Sequence, residues 1–124
     1  MSEQCACTIA VHTVTTIQRI AMYKDRQCSR KGRVRLLGRR SGSVVHMCRQ
    51  HAAMALAGFV DGEGKVMGAA SRAEYQRGLV GSLPPADWTS GNEQANADAA
   101  QIRARVAARA RQHRWSQARR RRRH

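Results

Sequence analysis

The sequence predicts an α+β fold: a small domain built from a strand, a β-hairpin and a helix, followed by an Arg-rich C-terminal helix and tail. Three observations predict it. Residues 8–23 are rich in β-branched side chains and contain no Gly or Pro. Two short runs, 33–37 and 43–47, flank a loop with glycine at both ends and lead directly into helix formers. From Glu93 to Ala118 the chain is rich in alanine and arginine, without Gly or Pro.

In the first stretch, Ile9, Val11 and Thr13 alternate with Thr8, Ala10 and His12, which suits a half-buried strand. Ile17 to Met22 is less regular, so the stretch is expected as one long or bent strand or as two short ones. Gly32 to Met47 reads as a hairpin turning at 38–42. Cys48 to Ala57 reads as a helix stopped by Gly58. Phe59-Val60 and Lys65-Val66-Met67 surround Asp61-Gly62-Glu63-Gly64, the pattern of a second small hairpin. Ser71-Arg72-Ala73-Glu74 has the spacing of a capping box and should open a short helix ending at Gly78. Leu83 to Trp88, with two prolines, breaks regular structure. It places a small α+β domain at 1–83, a linker at 84–92 and an Arg-rich helix and basic tail at 93–124. Ser90-Gly91-Asn92-Glu93 fits another capping box. Glu93 and Asp98 early in the last helix, with arginines late, match the helix dipole. Its apolar stripe of Ala99, Ile102, Val106 and Ala110 is thin, so this helix is expected to firm only on a partner.

At 124 residues with one Phe, two Trp and two Tyr, the chain has room for one small core. Scaffolds of that size commonly borrow stability from metals, disulfides or oligomerisation. No run approaches the roughly 18–20 apolar residues that span a bilayer. The first residues lack the basic start and apolar stretch of a secretory signal. A cytoplasmic location without membrane contact is expected, where structural disulfides are disfavoured.

That directs attention to metal binding by the cysteines. Cys48-Arg49-Gln50-His51 sits where the hairpin meets the helix. Positions i and i+3 of a first helical turn face the same way, and a helix N-terminus favours thiolate, so the pair makes half of a tetrahedral zinc site. Cys28, just ahead of the hairpin, supplies a third ligand, and Cys7 or Cys5 the fourth, with Cys7 preferred. A structural Zn2+ is the expected cofactor. A catalytic zinc would need a nearby carboxylate base, and none lies close in sequence.

With Cys28 before a hairpin and Cys48-x-x-His51 opening a helix, residues 5–58 resemble treble-clef-like zinc fingers. They are also similar to the small bacteriophage-encoded proteins that carry Cys…Cys-x-x-His. The usual first Cys-x-x-Cys knuckle is missing, because Cys28 is followed by Ser29-Arg30-Lys31.

Formal net charge is +15, and residues 93–124 hold ten arginines against Glu93 and Asp98. Such a chain seeks polyanions, and nucleic acid is the expected partner. Two basic surfaces are expected. One is the hairpin, with Arg33 and Arg35 on one strand face and Arg39 and Arg40 at its tip. The other is the tail: Arg103, Arg109, Arg111, Arg114, Arg119, Arg120, Arg121, Arg122 and Arg123, with Trp115 placed to stack on a base. DNA and RNA both remain open, as does the oligomeric state. No nucleophile motif, P-loop or dinucleotide turn occurs, so a non-enzymatic nucleic-acid-binding protein is the leading expectation. The alternative is a protein-interaction module, such as a phage-type inhibitor that docks on a host protein or nucleoprotein complex.

Overall fold

A computed structural model describes residues 4–14 and 21–122. The irregular part of the first stretch at 15–20, and Arg123 and His124 of the tail, lie outside the described residues. In chain order the elements are β1 (Thr8–Val14), β2 (Ala21–Gln27), β3 (Val34–Gly38), β4 (Val44–Met47), α1 (Arg49–Ala57), α2 (Ala69–Gln76), β5 (Trp88–Thr89) and α3 (Glu93–Arg122). The fold is α+β.

Of the two forms expected for the first stretch, the chain adopts two strands. β1 and β2 pair antiparallel from Thr8 opposite Gln27 to Val14 opposite Ala21, forming an arm on which Lys24 to Gln27 are exposed. The second sheet has the order β4-β3-β5. In β3 the pleat sends Val34, Leu36 and Gly38 inward and leaves Arg35 and Leu37 exposed, a period of two that a one-residue slip would invert. β4 follows antiparallel, with Val34 opposite Met47 and Leu37 opposite Val44.

α1 begins and ends where its sequence signals lie. Cys48 is its N-cap, and Gly58 closes it with φ 107°, its N–H reaching the carbonyls of Met54 and Ala55. A Cβ on Gly58 would sit 2.5 Å from the Pro84 carbonyl oxygen, so conformation and space both call for glycine.

Two helix starts differ from expectation. α2 opens at Ala69 behind Gly68, with no side-chain cap, so the Ser71–Glu74 box falls inside the helix. The Arg72 N–H already bonds the Gly68 carbonyl at 3.0 Å, which fixes the first turn before Ser71 can cap it. At α3, Asn92 is the cap, its Oδ1 accepting the Ala95 N–H at 3.0 Å. Ser90 instead donates to the Arg35 carbonyl at 2.7 Å, fastening the helix entrance to β3.

The expected linker at 84–92 is a correction. Trp88 and Thr89 pair with Gly38 and Leu37 as the third strand of the sheet. Trp88 is almost wholly buried, and its indole N–H donates to the Asp61 carbonyl at 2.9 Å. Two prolines interrupt regular structure at 84–85, but an indole of this size gains too much by burial to stay in a loose connector. Nor is α3 a separate tail. It packs on α1, and Ala95, Ala99 and Val106 belong to the same core as Leu36, Met47, Leu56 and Trp88. Alanines on both helices let the backbones approach closely, which is how so thin a stripe suffices. Arg49 and Asp98 at 3.1 Å, and Arg103 donating to the Leu56 carbonyl at 2.8 Å, fasten the pair at its edges. The last buried residue of α3 is Ala110.

Replacing Trp88 by alanine should cost about 3–5 kcal/mol in urea unfolding. Gly91→Ala, whose added Cβ meets nothing within 4 Å, should stay within about 0.5 kcal/mol. Equal small effects would restore the linker reading.

Candidate metal centre and basic surfaces

Residues 4–8 form an extended spine whose amides point alternately to two neighbours. Cys5 N–H donates to the Arg30 carbonyl at 2.7 Å, and Cys28 N–H donates to the Cys7 carbonyl at 2.9 Å. On the other side, Ala6 N–H reaches the His46 carbonyl at 2.9 Å and Thr8 N–H the Gly64 carbonyl at 2.8 Å. The Gln4–Lys31 bridge continues the register set by Thr8 and Gln27. The arm therefore closes at its base and brings Cys5 to Cys28, although the whole β1–β2 hairpin separates them in sequence. The knuckle absent from the sequence is assembled from two distant segments.

The ligand atoms of Cys5, Cys28, Cys48 and His51 lie within 4.8 Å of one another, and all four residues are buried. His51 Nδ1 stands 3.4 Å from Cys48 Sγ and 3.5 Å from Cys5 Sγ. A tetrahedral centre with metal–sulfur bonds of about 2.3 Å and a metal–nitrogen bond near 2.0 Å has edges of roughly 3.5–3.8 Å. The group thus has the size of a four-ligand metal site. Cys48 also accepts the His51 N–H at 3.5 Å, so the helix cap and the ligand pair are one feature.

Electrostatics agree with that use. Burial, with the neighbouring Cys5 and Cys28 adding to it, pushes the Cys48 thiol up to about 11 against the pull of the His51 amide. Burial also lowers the His51 pKa, with the positive charges of Arg30 and Arg72 adding to the effect. Both shifts favour a neutral Cys48 thiol beside a neutral imidazole with a lone pair to give. A divalent cation would supply the missing positive charge and release the thiol protons. The donor set of three sulfurs and one nitrogen fits a metal ion.

Cys7, the ligand preferred from sequence, is not in this group; the alternative, Cys5, is. The Cys7 Sγ lies 3.4 Å from Met47 Sδ, both residues are fully buried, and desolvation raises the Cys7 thiol well above the ordinary range. It is a core residue. The alternation of Cys5-Ala6-Cys7 sends both sulfurs inward, but the base of the arm meets α1 at Cys5. His46 also falls outside the four-ligand group.

The basic residues divide by role. Arg33, Arg35, Arg39 and Arg40 are exposed along β3 and its turn. Arg103 and Arg109 donate to the carbonyls of Leu56 and Gln76, at 2.8 and 3.1 Å, and so satisfy the C-terminal ends of α1 and α2. Sequence reasoning grouped both with the tail, and only their reach toward helix ends distinguishes them. Arg111, Arg114 and Arg119 to Arg122 are exposed beyond the buried face of α3. Trp115 there is 61% exposed, with the Arg119 guanidinium 4.8 Å from its ring centroid.

Searches of family models, curated proteins and solved structures find no match to the chain. Among the described residues, no helix is long and apolar enough to cross a membrane.

Chelation should lower the melting temperature of the wild type and of Cys7→Ser, and leave Cys5→Ser, already without a complete site, unmoved. The reverse pattern would make Cys7 the ligand. The depressed His51 pKa sets a sign for the metal-free chain. The unfolded state takes up the proton first, so this group costs stability as pH falls through about 6.5 and has no effect above that. Melts of the chelated protein should therefore be lower at pH 5.5 than at 7.5. In His51→Gln that difference should shrink.

Proposed function

We propose that the chain is a non-enzymatic nucleic-acid-binding protein, stabilised by a structural zinc ion, that lays the exposed end of α3 along phosphates. One observation carries the reading. Arg111, Trp115, Arg119 and Arg122 fall at i, i+4, i+8 and i+11, one face of a helix, and all four are exposed beyond the last buried turn. A solvated surface helix usually alternates charge. This segment has no acidic residue after Asp98.

Zinc is the metal that best suits three thiolates and one imidazole in tetrahedral array. Four protein ligands leave no open position, which is the structural and not the catalytic pattern. The cation would join the spine at Cys5, the base of the arm at Cys28 and the first turn of α1 at Cys48 and His51.

A preformed helix about 10–12 Å wide suits the major groove of duplex DNA better than the deep, narrow one of A-form RNA. Phosphate contacts by arginine give affinity with little sequence reading. A second reading, docking on a protein partner, draws on Leu37 and Val44. These are cross-strand partners, each 46% exposed beside Arg35.

Binding of the full chain to duplex DNA should fall with a log–log salt slope of roughly −5, if about six phosphates are neutralised. Changing Arg119, Arg120, Arg121 and Arg122 together to glutamine should flatten the slope by about 3–4. A slope unchanged by that substitution would sink the assignment to α3. Tight binding to a nuclease-resistant partner at moderate salt would favour the protein-docking reading.

A further inference from the structure

A cleft of about 790 Å³ opens between the base of the β1–β2 arm, α1 and the start of α2. Arg26, Arg30, Lys65 and Arg72 line it, together with Gln50 and His51, and no carboxylate is among the lining residues. Four cations from three segments, the end of the arm at Arg26 and Arg30, the turn at Lys65 and α2 at Arg72, converge there. Folding like charges together costs free energy unless something of opposite sign answers them.

Some of this charge is already engaged. Arg30 donates to Gln50 Oε1 at 2.9 Å, which holds its guanidinium in place over the cleft. Lys65 stands 3.6 Å from Asp25, with both side chains about half exposed, a weak pairing. Arg72 is different. Its Nε is shielded from solvent and has no hydrogen-bond partner, the one such side-chain atom among the described residues. An unsatisfied buried donor on a charged group costs free energy. Arg72 lines the cleft, so a small turn of its side chain would bring that donor to a ligand oxygen. The adjoining start of α2, at Gly68 to Ala70, lacks a side-chain cap and lines the same cleft, so its field adds to the guanidinium groups.

We infer that this cleft is a phosphate-binding site, in which Arg72 and Arg30 take the oxygens of a phosphate group belonging to a nucleic-acid strand. Planar guanidinium forks match phosphate oxygens two at a time, and two arginines converging on one cleft suit a group that offers more acceptor oxygens than the two of a carboxylate. The site lies on the arm and α1–α2 face, supported by residues other than those of the projecting helix. It therefore gives the proposed nucleic-acid reading a second, geometrically fixed contact. The inference rests on that reading for the source of the phosphate, but not for the chemistry of the cleft.

The test uses the full chain with two probes, inorganic phosphate and a single-stranded oligothymidylate. Arg72→Gln and Arg30→Gln should each weaken inorganic phosphate binding at least about fivefold at low salt, the loss of one charge-assisted hydrogen bond. The glutamine substitution of Arg119 to Arg122 should leave it within about twofold. Both cleft variants should also weaken the oligothymidylate. If Arg72→Gln fails to fold by circular dichroism, the exposed Arg30 carries the comparison. Phosphate binding that responds only to the tail substitution, or to none of these changes, would overturn the inference. If neither the oligothymidylate nor duplex DNA binds any of the proteins while phosphate still depends on Arg30 and Arg72, the cleft stands, its ligand is free phosphate or a mononucleotide, and the nucleic-acid reading fails.

Discussion

Four buried side chains that could hold a metal ion, Cys5, Cys28, Cys48 and His51, are the constraint on which the other elements depend. They come from the spine, the base of the arm and the first turn of α1, three segments that share few large apolar side chains. Among the largest fully buried side chains, two of four are cysteines, Cys5 and Cys7, beside Leu36 and Met47. Much of the remaining core is alanine, which buries little area per residue. A structural zinc in a site of this kind contributes about 10–16 kcal/mol in apparent terms. A whole domain is typically stable by only about 5–15 kcal/mol. A bound cation would therefore rival the entire apolar core, and it would also offset the burial that raises the Cys48 thiol.

The second organising feature is the division of labour along α3. Its first half is a core element, with alanines and Val106 against α1 and two arginines bonded to the carbonyl ends of α1 and α2. Its second half is solvent-facing and basic, with four arginines in the last turn, where the helix dipole favours cations. Because the first half is anchored, the second is held as a helix before any partner arrives. A partner then need not supply the ordering free energy that a free basic tail would demand. The thin apolar stripe that made this helix look weak is adequate because α1 presents alanines in return.

The legible parts of the fold were those governed by local chemistry. The alternation of Val34 and Leu36 with Arg33 and Arg35 fixes which face of β3 is buried, and Gly58 ends α1 through its positive φ. That Cys28, Cys48 and His51 cluster was readable because two share a helical turn and the third precedes the hairpin. The choice between Cys5 and Cys7 was not. It depends on where the closed arm meets α1, a register relation among three segments that no local pattern encodes. Trp88 was misread for a related reason: the prolines before it are a strong local signal, while its burial against β3 is a long-range one. The Ser71 capping box likewise lost to a helix that begins earlier at Gly68. Arg72, which sequence spacing placed only in that box, takes its importance from the cleft that α2 shares with the arm.

The most direct measurement is metal stoichiometry combined with X-ray absorption at the zinc edge on the full chain as purified. The expected result is one zinc per chain with three sulfur neighbours near 2.3 Å and one nitrogen near 2.0 Å. A chain as purified that carries no metal and melts no lower after chelation would contradict the account, because the junction of arm, spine and helix would then rest on packing alone. A four-sulfur shell would also contradict it, since His51 would then be only a core histidine.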